Sequence, residues 1–186
     1  MIIMLFGITN VGKTVTGQRL AERLNYSFFD LDEEIKKRFQ TTLEKFMNEY
    51  PFPAERAKIK GKILRDLIKE NKSDIVIAVS PIYYTRNFNS LLDLDQVIAI
   101  ELQDSEEHIF QRLIFSDEND IVYKDDAYKD KHKKDYIKDI HEDIVDARKT
   151  YKKVQNKYYI NNQSIDEVVD NLVYLIKKLV DSKQVN

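Results

Sequence analysis

The residues with the clearest chemical signal lie within the first fourteen positions of the chain. Residues 7–14 read GITNVGKT and satisfy the pattern G-x-x-x-x-G-K-[ST] at every fixed position. Glycines in such a segment let the backbone approach phosphate oxygens, and the amides that open the following helix attract an anion. Lys13 would reach the β- and γ-phosphates of a nucleoside triphosphate, and the Thr14 hydroxyl would bind Mg²⁺. The segment therefore predicts a phosphate-binding loop, against the alternative of a chance match in an ordinary strand–turn–helix.

The sequence around the loop favours the first interpretation. An apolar run at residues 2–6 predicts a buried strand before the loop, and residues 15–24 have a helical pattern after it. Three of the four glycines lie in or just after the loop, where close approach of the backbone requires them. The nucleotide-binding residues predicted here are Gly7, Thr9, Asn10, Val11, Gly12, Lys13, Thr14 and Val15.

Two carboxylates, Asp30 and Asp32, stand at the end of the second predicted strand. Residues i and i+2 of an extended chain share a face, so we expect both to project from the same rim of the sheet. One would then serve Mg²⁺, often through water, and the other would orient or deprotonate an acceptor hydroxyl. The alternative is that Asp32 opens a helix, because acidic residues are favoured in a first helical turn.

Strands and helices alternate along the chain, which predicts one three-layer α/β/α domain over residues 1–186 with a five-stranded parallel sheet. Ligands of such folds bind beyond the carboxyl ends of the strands. The predicted strands are 2–6, 26–30, 75–79, 96–102 and 158–160. The predicted helices are 14–24, 33–39, 43–47, 54–70, 105–114, 136–156 and 165–180.

Composition narrows the function further. The chain has 33% charged residues but a net charge of only −2, which argues against a nucleic-acid or membrane surface. Without cysteine it has no disulfide or thiolate metal site, and its three histidines lack the spacing of zinc ligands. We expect a cytoplasmic monomer or weak homodimer whose partner is a small molecule.

The first sixty residues resemble the shikimate kinases, members of the nucleoside-monophosphate-kinase-like P-loop family. After the loop, residues 14–24 read TVTGQRLAERL, close to T-x-G-x-x-L-A-x-x-L, and residues 28–32 read FFDLD, ending in D-x-D without a gap. The resemblance implies ATP and Mg²⁺ as cofactors and transfer of the γ-phosphoryl to a hydroxyl of a small anionic metabolite. It implies that Asp30 supports the metal and that Asp32 binds the substrate hydroxyls or acts as base.

The resemblance also assigns positions to several later residues. Arg56 matches a substrate-binding arginine, with a surface helix residue as the alternative, and Arg112 in IFQRL matches an arginine near the adenine. Asn161 matches the adenine loop, and Arg148 loosely matches a second substrate arginine. The same family pattern predicts an acceptor-binding helical insert at about 33–62 and a lid at about 115–135.

The later chain departs from the family pattern. Residues 79–84, VSPIYY, replace a triple-glycine turn, and the charged lid segment, expected to be a solvated loop, offers only lysines, of which Lys124 is the nearest candidate. The serine and Arg86 in this stretch resemble gluconate-kinase relatives, so Arg86 contacts an anionic acceptor or is an ordinary surface residue. Two alternatives to a shikimate-type kinase follow. One is a nucleotide-binding protein without turnover, and the other is a gluconate or nucleoside-monophosphate kinase, the latter with Tyr83 or Tyr84 stacked on a base.

Overall fold

The computed structural model describes the backbone of residues 1–184 and the side chains of residues 1–182. The strands are β1 Ile2–Phe6, β2 Ser27–Asp30, β3 Ile75–Ala78, β4 Val97–Gln103, β5 Phe115–Ser116, β6 Val122–Tyr123 and β7 Asn156–Tyr159. The helices are α1 Lys13–Leu24, α2 Leu31–Phe39, α3 Leu43–Glu49, α4 Pro53–Glu70, α5 Asn89–Leu92, α6 Glu106–Gln111, α7 Asp126–Lys131, α8 Lys133–Thr150 and α9 Ile165–Gln184, with a 3-10 turn at Thr85–Asn87.

Five parallel strands form the central sheet in the order β2-β3-β1-β4-β7. Helices cover both faces, with α1 packed against α9 and α6 packed against α8. The three-layer α/β/α prediction is therefore confirmed. The chain changes direction across the sheet beside β1, so the loop after β1 lies at the switch point where ligands bind in such folds.

The core of the sheet is β1. Ile3, Met4 and Leu5 have no exposed surface, and β3 on one side is equally buried. A strand covered on both faces reads as a continuous apolar run rather than an alternating one, which is why IIMLF and IVIA could be assigned from the sequence. This rigid centre holds the loop that follows β1.

The charged segment after α6 is more ordered than we expected. Phe115–Ser116 and Val122–Tyr123 pair as an antiparallel hairpin, and Asp126–Lys131 is helical. Contacts between aromatic rings stabilise the segment. The ring centroid of Phe115 lies 5.6 Å from that of Tyr123 and 6.0 Å from that of Tyr128. The segment is largely exposed, as predicted, but it is not a loop, because a few aromatic residues among many charges suffice to build a small cluster.

The tip of this hairpin reaches across to the helical segment after β2. The Leu43 backbone N–H, at the start of α3, donates to Asp120 Oδ2 at 2.9 Å. Asp120 itself adopts a positive φ of 61° in the turn of the hairpin. The two segments, 77 residues apart in sequence, are thus joined by a direct hydrogen bond.

Several element boundaries differ from the predicted ones. The helix predicted at 136–156 is Lys133–Thr150, and the last strand starts at Asn156 rather than at residue 158. Among the described residues, no helix has the length and apolar character needed to cross a membrane.

Candidate active site

The phosphate-binding loop connects β1 to α1. Gly7 has φ 143° and Gly12 has φ 105°, conformations that L side chains rarely adopt. A Cβ atom at Gly7 would lie 2.6 Å from the Leu102 carbonyl oxygen, so only glycine lets the loop pass this close to β4. Helix α1 begins at Lys13 without a side-chain cap, which leaves its first amides to an anion.

Lys13 is buried within this loop. Lys13 is only 8% exposed, and its Nζ donates to the Ile8 carbonyl oxygen at 2.7 Å. Burial lowers the pKa of Lys13 to about 8, although the negative charges of Asp32 and Asp30 oppose the change. A phosphate bound at the loop would stabilise the ammonium, because a buried cation gains most from a nearby anion.

Thr14 and Asp30 form the oxygen-rich corner of the site. Thr14 Oγ1 donates to Asp30 Oδ2 at 2.6 Å, while Asp30 Oδ1 accepts from the Asp32 backbone N–H at 2.9 Å. Asp30 is therefore the N-cap of α2. Hydroxyl and carboxylate oxygens are the donors that Mg²⁺ prefers, so the pair fits a magnesium ion that also takes phosphate oxygens and water.

The backbone around Asp32 differs from the expectation. Asp32 lies in the first turn of α2, so it does not share an extended face with Asp30, and the alternative of a helix start describes the chain here. The cap chemistry of Asp30 explains this, since an aspartate before a helix accepts the free amides of its first turn. The Asp32 side chain nevertheless lines the cavity beside the loop, as does Asp30.

A cavity of about 580 Å³ extends from the loop toward the hairpin. Its wall includes seven of the predicted nucleotide-binding residues and adds cationic groups from the segment after α6. Its lining from the prediction is Thr9, Asn10, Gly12, Lys13, Thr14, Val15 and Arg112, and its further cations are Lys124 and Lys129. We call this space the nucleotide cavity.

Arg112 is fixed at the edge of the nucleotide cavity. Nη2 donates to Asp104 Oδ2 at 2.7 Å, and Nε donates to the Asn10 carbonyl oxygen at 3.3 Å. Burial raises the pKa of the Asp104 carboxyl, but hydrogen bonds from His108 and Arg112 outweigh it and hold that pKa below its usual value. The arginine is thus oriented by a buried carboxylate and attached to the loop.

A second cavity of about 460 Å³ lies between α2, α3, α4 and the segment after β3. It shares four residues with the nucleotide cavity, so the two spaces meet. The shared residues are Thr9, Asp32, Ser80 and Pro81. Asp32 is the carboxylate at this junction, and we call the second space the acceptor cavity.

Two cations of α4 line the acceptor cavity. The predicted Arg56 is one, and its Nη1 donates to the carbonyl oxygens of Tyr50 at 2.6 Å and Pro51 at 2.9 Å. Sequence reasoning missed the other, Lys60, whose Nζ donates to the Pro81 carbonyl oxygen at 3.2 Å. The signal that could have found it is its i, i+4 spacing from Arg56, which places both on one helical face.

The segment that replaces the expected glycine turn contributes two further polar groups. Ser80 is 3% exposed, and its Oγ has no hydrogen-bond partner among the described residues. Tyr83 lines the acceptor cavity, and its hydroxyl lies 3.5 Å from Asp143 Oδ1 of α8. Burial, with nearby Asp143, raises the pKa of Tyr83.

Outside the phosphate-binding loop, three predicted residues lie apart from both cavities. Arg86 is exposed on the 3-10 turn, and Asn161 is exposed in the turn after β7. Arg148 borders a small cavity of about 70 Å³ behind the loop, among Ile8 and Val11. The helix that carries it turns Asp143 toward Tyr83, and a residue five positions later is rotated by about 140°.

Comparison with known proteins agrees with this arrangement. The family model described as shikimate kinase matches residues 9–177. The chain belongs to the shikimate kinase family. It is accordingly a member of a family of P-loop small-molecule kinases, as the resemblance of its first sixty residues implies.

Individual members of the shikimate kinase family are distant. The shikimate kinase of Flavobacterium johnsoniae is 22% identical over 175 residues, which cover 94% of this chain and 98% of that protein. The pentafunctional AROM polypeptide of Schizosaccharomyces pombe is 24% identical over 96% of this chain, but the chain spans only 11% of that much longer polypeptide.

Solved structures show the same fold. The shikimate kinase of Aquifex aeolicus superposes with a TM-score of 0.71 at 21% identity, over 97% of this chain and 98% of that one. The shikimate kinase of Acinetobacter baumannii, in complex with shikimate, gives 0.72 at 18% identity over 95% and 93% of the two chains.

Proposed function

We propose that this chain transfers the γ-phosphoryl group of ATP, with Mg²⁺, to a hydroxyl of a small anionic metabolite, and that shikimate is the first acceptor to test. One observation carries the proposal. Asp32, a partly exposed carboxylate, stands where a cavity built on a phosphate-binding loop meets a second cavity lined by cations. A group that orients or deprotonates an acceptor hydroxyl is needed at that junction.

The loop and its first helix would position the phosphates. Phosphoryl transfer depends mainly on alignment and on neutralising the charge that spreads over the transferred group. Lys13, whose ammonium is already desolvated, would interact strongly with this charge. Thr14 and Asp30 would hold Mg²⁺, which would help to neutralise the charge of the transferred phosphoryl group.

Cations at the far side of the nucleotide cavity would add positive charge for binding the phosphates of the nucleotide. Arg112 is held by Asp104, and Lys129 is mostly buried, with a side chain 12% exposed and an ion pair to Asp126 at 3.0 Å. Together with Lys124 they stand where the family's lid arginine is absent. We propose that residues 115–135 act as the lid over the nucleotide and that residues 33–62 form the acceptor-binding insert.

The experiment is acceptor-dependent release of ADP. Purified protein with ATP and Mg²⁺ is given shikimate, gluconate, nucleosides or nucleoside monophosphates, and ADP is measured beside the phosphorylated product. We expect turnover with shikimate, no turnover for Asp32→Asn, and unchanged turnover for Lys37→Met, whose side chain is 77% exposed.

Each other result points to a different function. Turnover only with gluconate, or only with a nucleoside monophosphate, would replace shikimate as the acceptor and retain the kinase. Tight ATP binding with no response to any acceptor would contradict the proposed transfer and favour a nucleotide-binding protein without turnover. Full activity of Asp32→Asn would refute the role given to this carboxylate.

A further inference from the structure

Lys60 is the most confined cation of the acceptor cavity. Its side chain is 17% exposed, and its Nζ lies 3.2 Å from the Pro81 carbonyl oxygen and 3.9 Å from Asp32 Oδ1. An ammonium has three N–H donors. Only the Pro81 carbonyl oxygen is within hydrogen-bonding distance in the contacts described here, so the ammonium retains donors that can bind a ligand in the cavity.

The charges around this ammonium are unbalanced. Arg56 and Lys60 both line the acceptor cavity, and among the described residues that line it Asp32 is the one carboxylate. They stand one helical turn apart on α4, and like charges at that spacing destabilise one another. An anion bound between them would remove the repulsion and satisfy the free donors of both side chains.

The electrostatic environment of Lys60 agrees with this geometry. Burial lowers the pKa of Lys60, the Arg56 charge lowers it further, and Asp32 and Asp30 oppose both effects. A bound anion would raise this pKa again and restore a fully charged ammonium.

The anion in question is that of the acceptor rather than that of the nucleotide. Lys60 does not line the nucleotide cavity, whose described lining already includes the cations Lys13, Arg112, Lys124 and Lys129. Arg148 and Arg86, which the sequence suggested as additional substrate cations, lie away from the acceptor cavity. An acceptor held at Lys60 would still place a hydroxyl near Asp32, 3.9 Å from the same ammonium.

We propose that Lys60 is a specificity-determining residue of this chain, which binds the carboxylate of a hydroxylated acid together with Arg56. The inference rests on the proposed kinase function and adds to it a residue that selects the charged form of the acceptor. Lys60 would therefore discriminate between an acid and its uncharged ester with the same hydroxyl groups.

The test compares shikimate with its methyl ester in the wild type, Lys60→Met, Lys60→Arg and Lys58→Met. Lys58 is an exposed neighbour outside the acceptor cavity and serves as the matched control. A charge-assisted hydrogen bond in a confined site supports an effect of about 10- to 100-fold. We expect Lys60→Met to raise KM for shikimate by that factor, to change KM for the ester by less than about threefold, and to leave ATP affinity unchanged.

The conservative variant Lys60→Arg and the control Lys58→Met separate recognition from structure. Lys60→Arg should keep a preference for the acid, and Lys58→Met should behave as the wild type. An equal loss with acid and ester would indicate that Lys60 merely holds the Pro81 turn, and would overturn the inference. So would an unchanged KM for shikimate in Lys60→Met.

Failure of the proposed function has a different signature. If the wild type phosphorylates neither compound, calorimetry of shikimate and its ester binding to the protein with ADP and Mg²⁺ tests Lys60 alone. Tighter binding of the acid in the wild type, lost in Lys60→Met, would support the anion site even without turnover. Absence of any preference for the acid in the wild type would reject it.

Discussion

Replacing Lys13 by methionine is expected to stabilise the nucleotide-free protein while removing its response to nucleotide. The lysine is 8% exposed, and its ammonium is desolvated in a loop that provides a single carbonyl oxygen as hydrogen-bond partner. Methionine has a similar length and no charge. The substitution therefore removes an electrostatic cost that only a bound phosphate would offset.

The size of this effect follows from the pKa. Burial lowers the pKa of Lys13 from 10.5 to about 8, and a tenfold change in proton affinity is worth about 1.4 kcal/mol. Keeping the ammonium charged thus costs the folded state roughly 3 kcal/mol at neutral pH. Loss of the hydrogen bond from Lys13 to the Ile8 carbonyl oxygen would lower the stability of the variant by about 1 kcal/mol. We expect a net gain of about 2 kcal/mol, or roughly 4–8 °C in Tm for a chain of this size.

The gain should depend on pH in a defined direction. Below pH 8 Lys13 is charged in both the folded and the unfolded states, so the full cost of burial is present. Between pH 8 and 10.5 the folded state has lost the proton and the unfolded state retains it, so the stability of the wild type rises. The advantage of Lys13→Met should therefore shrink across this interval.

Urea unfolding from pH 7 to 10.5, with and without ADP and Mg²⁺, measures these differences. Nucleotide at one hundred times its Kd should stabilise the wild type by about 2.7 kcal/mol and leave Lys13→Met unchanged. The exposed control Lys37→Met should stay within about 0.5 kcal/mol of the wild type. A nucleotide-free Lys13→Met less stable than the wild type at pH 7, or an advantage that stays constant with pH, would refute the reasoning.

Three other substitutions test the positions of the remaining groups. Asp32→Asn should abolish phosphoryl transfer, measured as product formed, while calorimetry shows unchanged ATP affinity; weakened ATP binding would contradict the assigned position. Arg112→Ala should lower the free energy of unfolding by about 1–3 kcal/mol and weaken ATP binding. The reason is that the Asp104 side chain has no exposed surface and would lose one of its hydrogen-bond donors. A stability equal to that of the wild type would contradict the importance of the Arg112–Asp104 pair. Gly61→Ala should lower the free energy of unfolding by up to about 2 kcal/mol, measured in urea, and raise KM for the acceptor. A Cβ atom at this position would lie 2.5 Å from the Asn87 carbonyl oxygen and would displace α4. A more stable variant would show that the helix propensity of alanine dominates instead.

The phosphate-binding loop could be predicted from the sequence almost completely. Its function is local, since a strand, two glycines at fixed spacing and a helix start within eight positions determine where the amides point. Asp30 and Asp32 were also predicted to face the loop. The predicted backbone conformation was wrong, because Asp30 caps α2 and Asp32 lies in the first helical turn rather than on an extended strand.

The acceptor side depended on information that no local pattern holds. Helix α4 carries lysines at positions 58, 60 and 62, and only the packing of that helix beside the segment after β3 selects Lys60. Arg148 shows the reverse case. Its distance from Tyr151 in sequence resembles a known pattern, but the rotation of α8 directs it toward Ile8 and Val11.

The hydrogen bond between Asp120 and the Leu43 amide affects how ligands would enter and leave the two cavities. It joins the tip of the hairpin to the start of α3, where Leu43 lines the acceptor cavity, so the hairpin cannot move away from α3 without breaking it. If residues 115–135 act as the lid proposed above, a single such bond, worth about 1 kcal/mol net, would shift the ratio of its closed to its open form about fivefold. Opening of that lid would then disturb the wall of the acceptor cavity as well as uncover the nucleotide cavity, so release of one ligand would be coupled to release of the other.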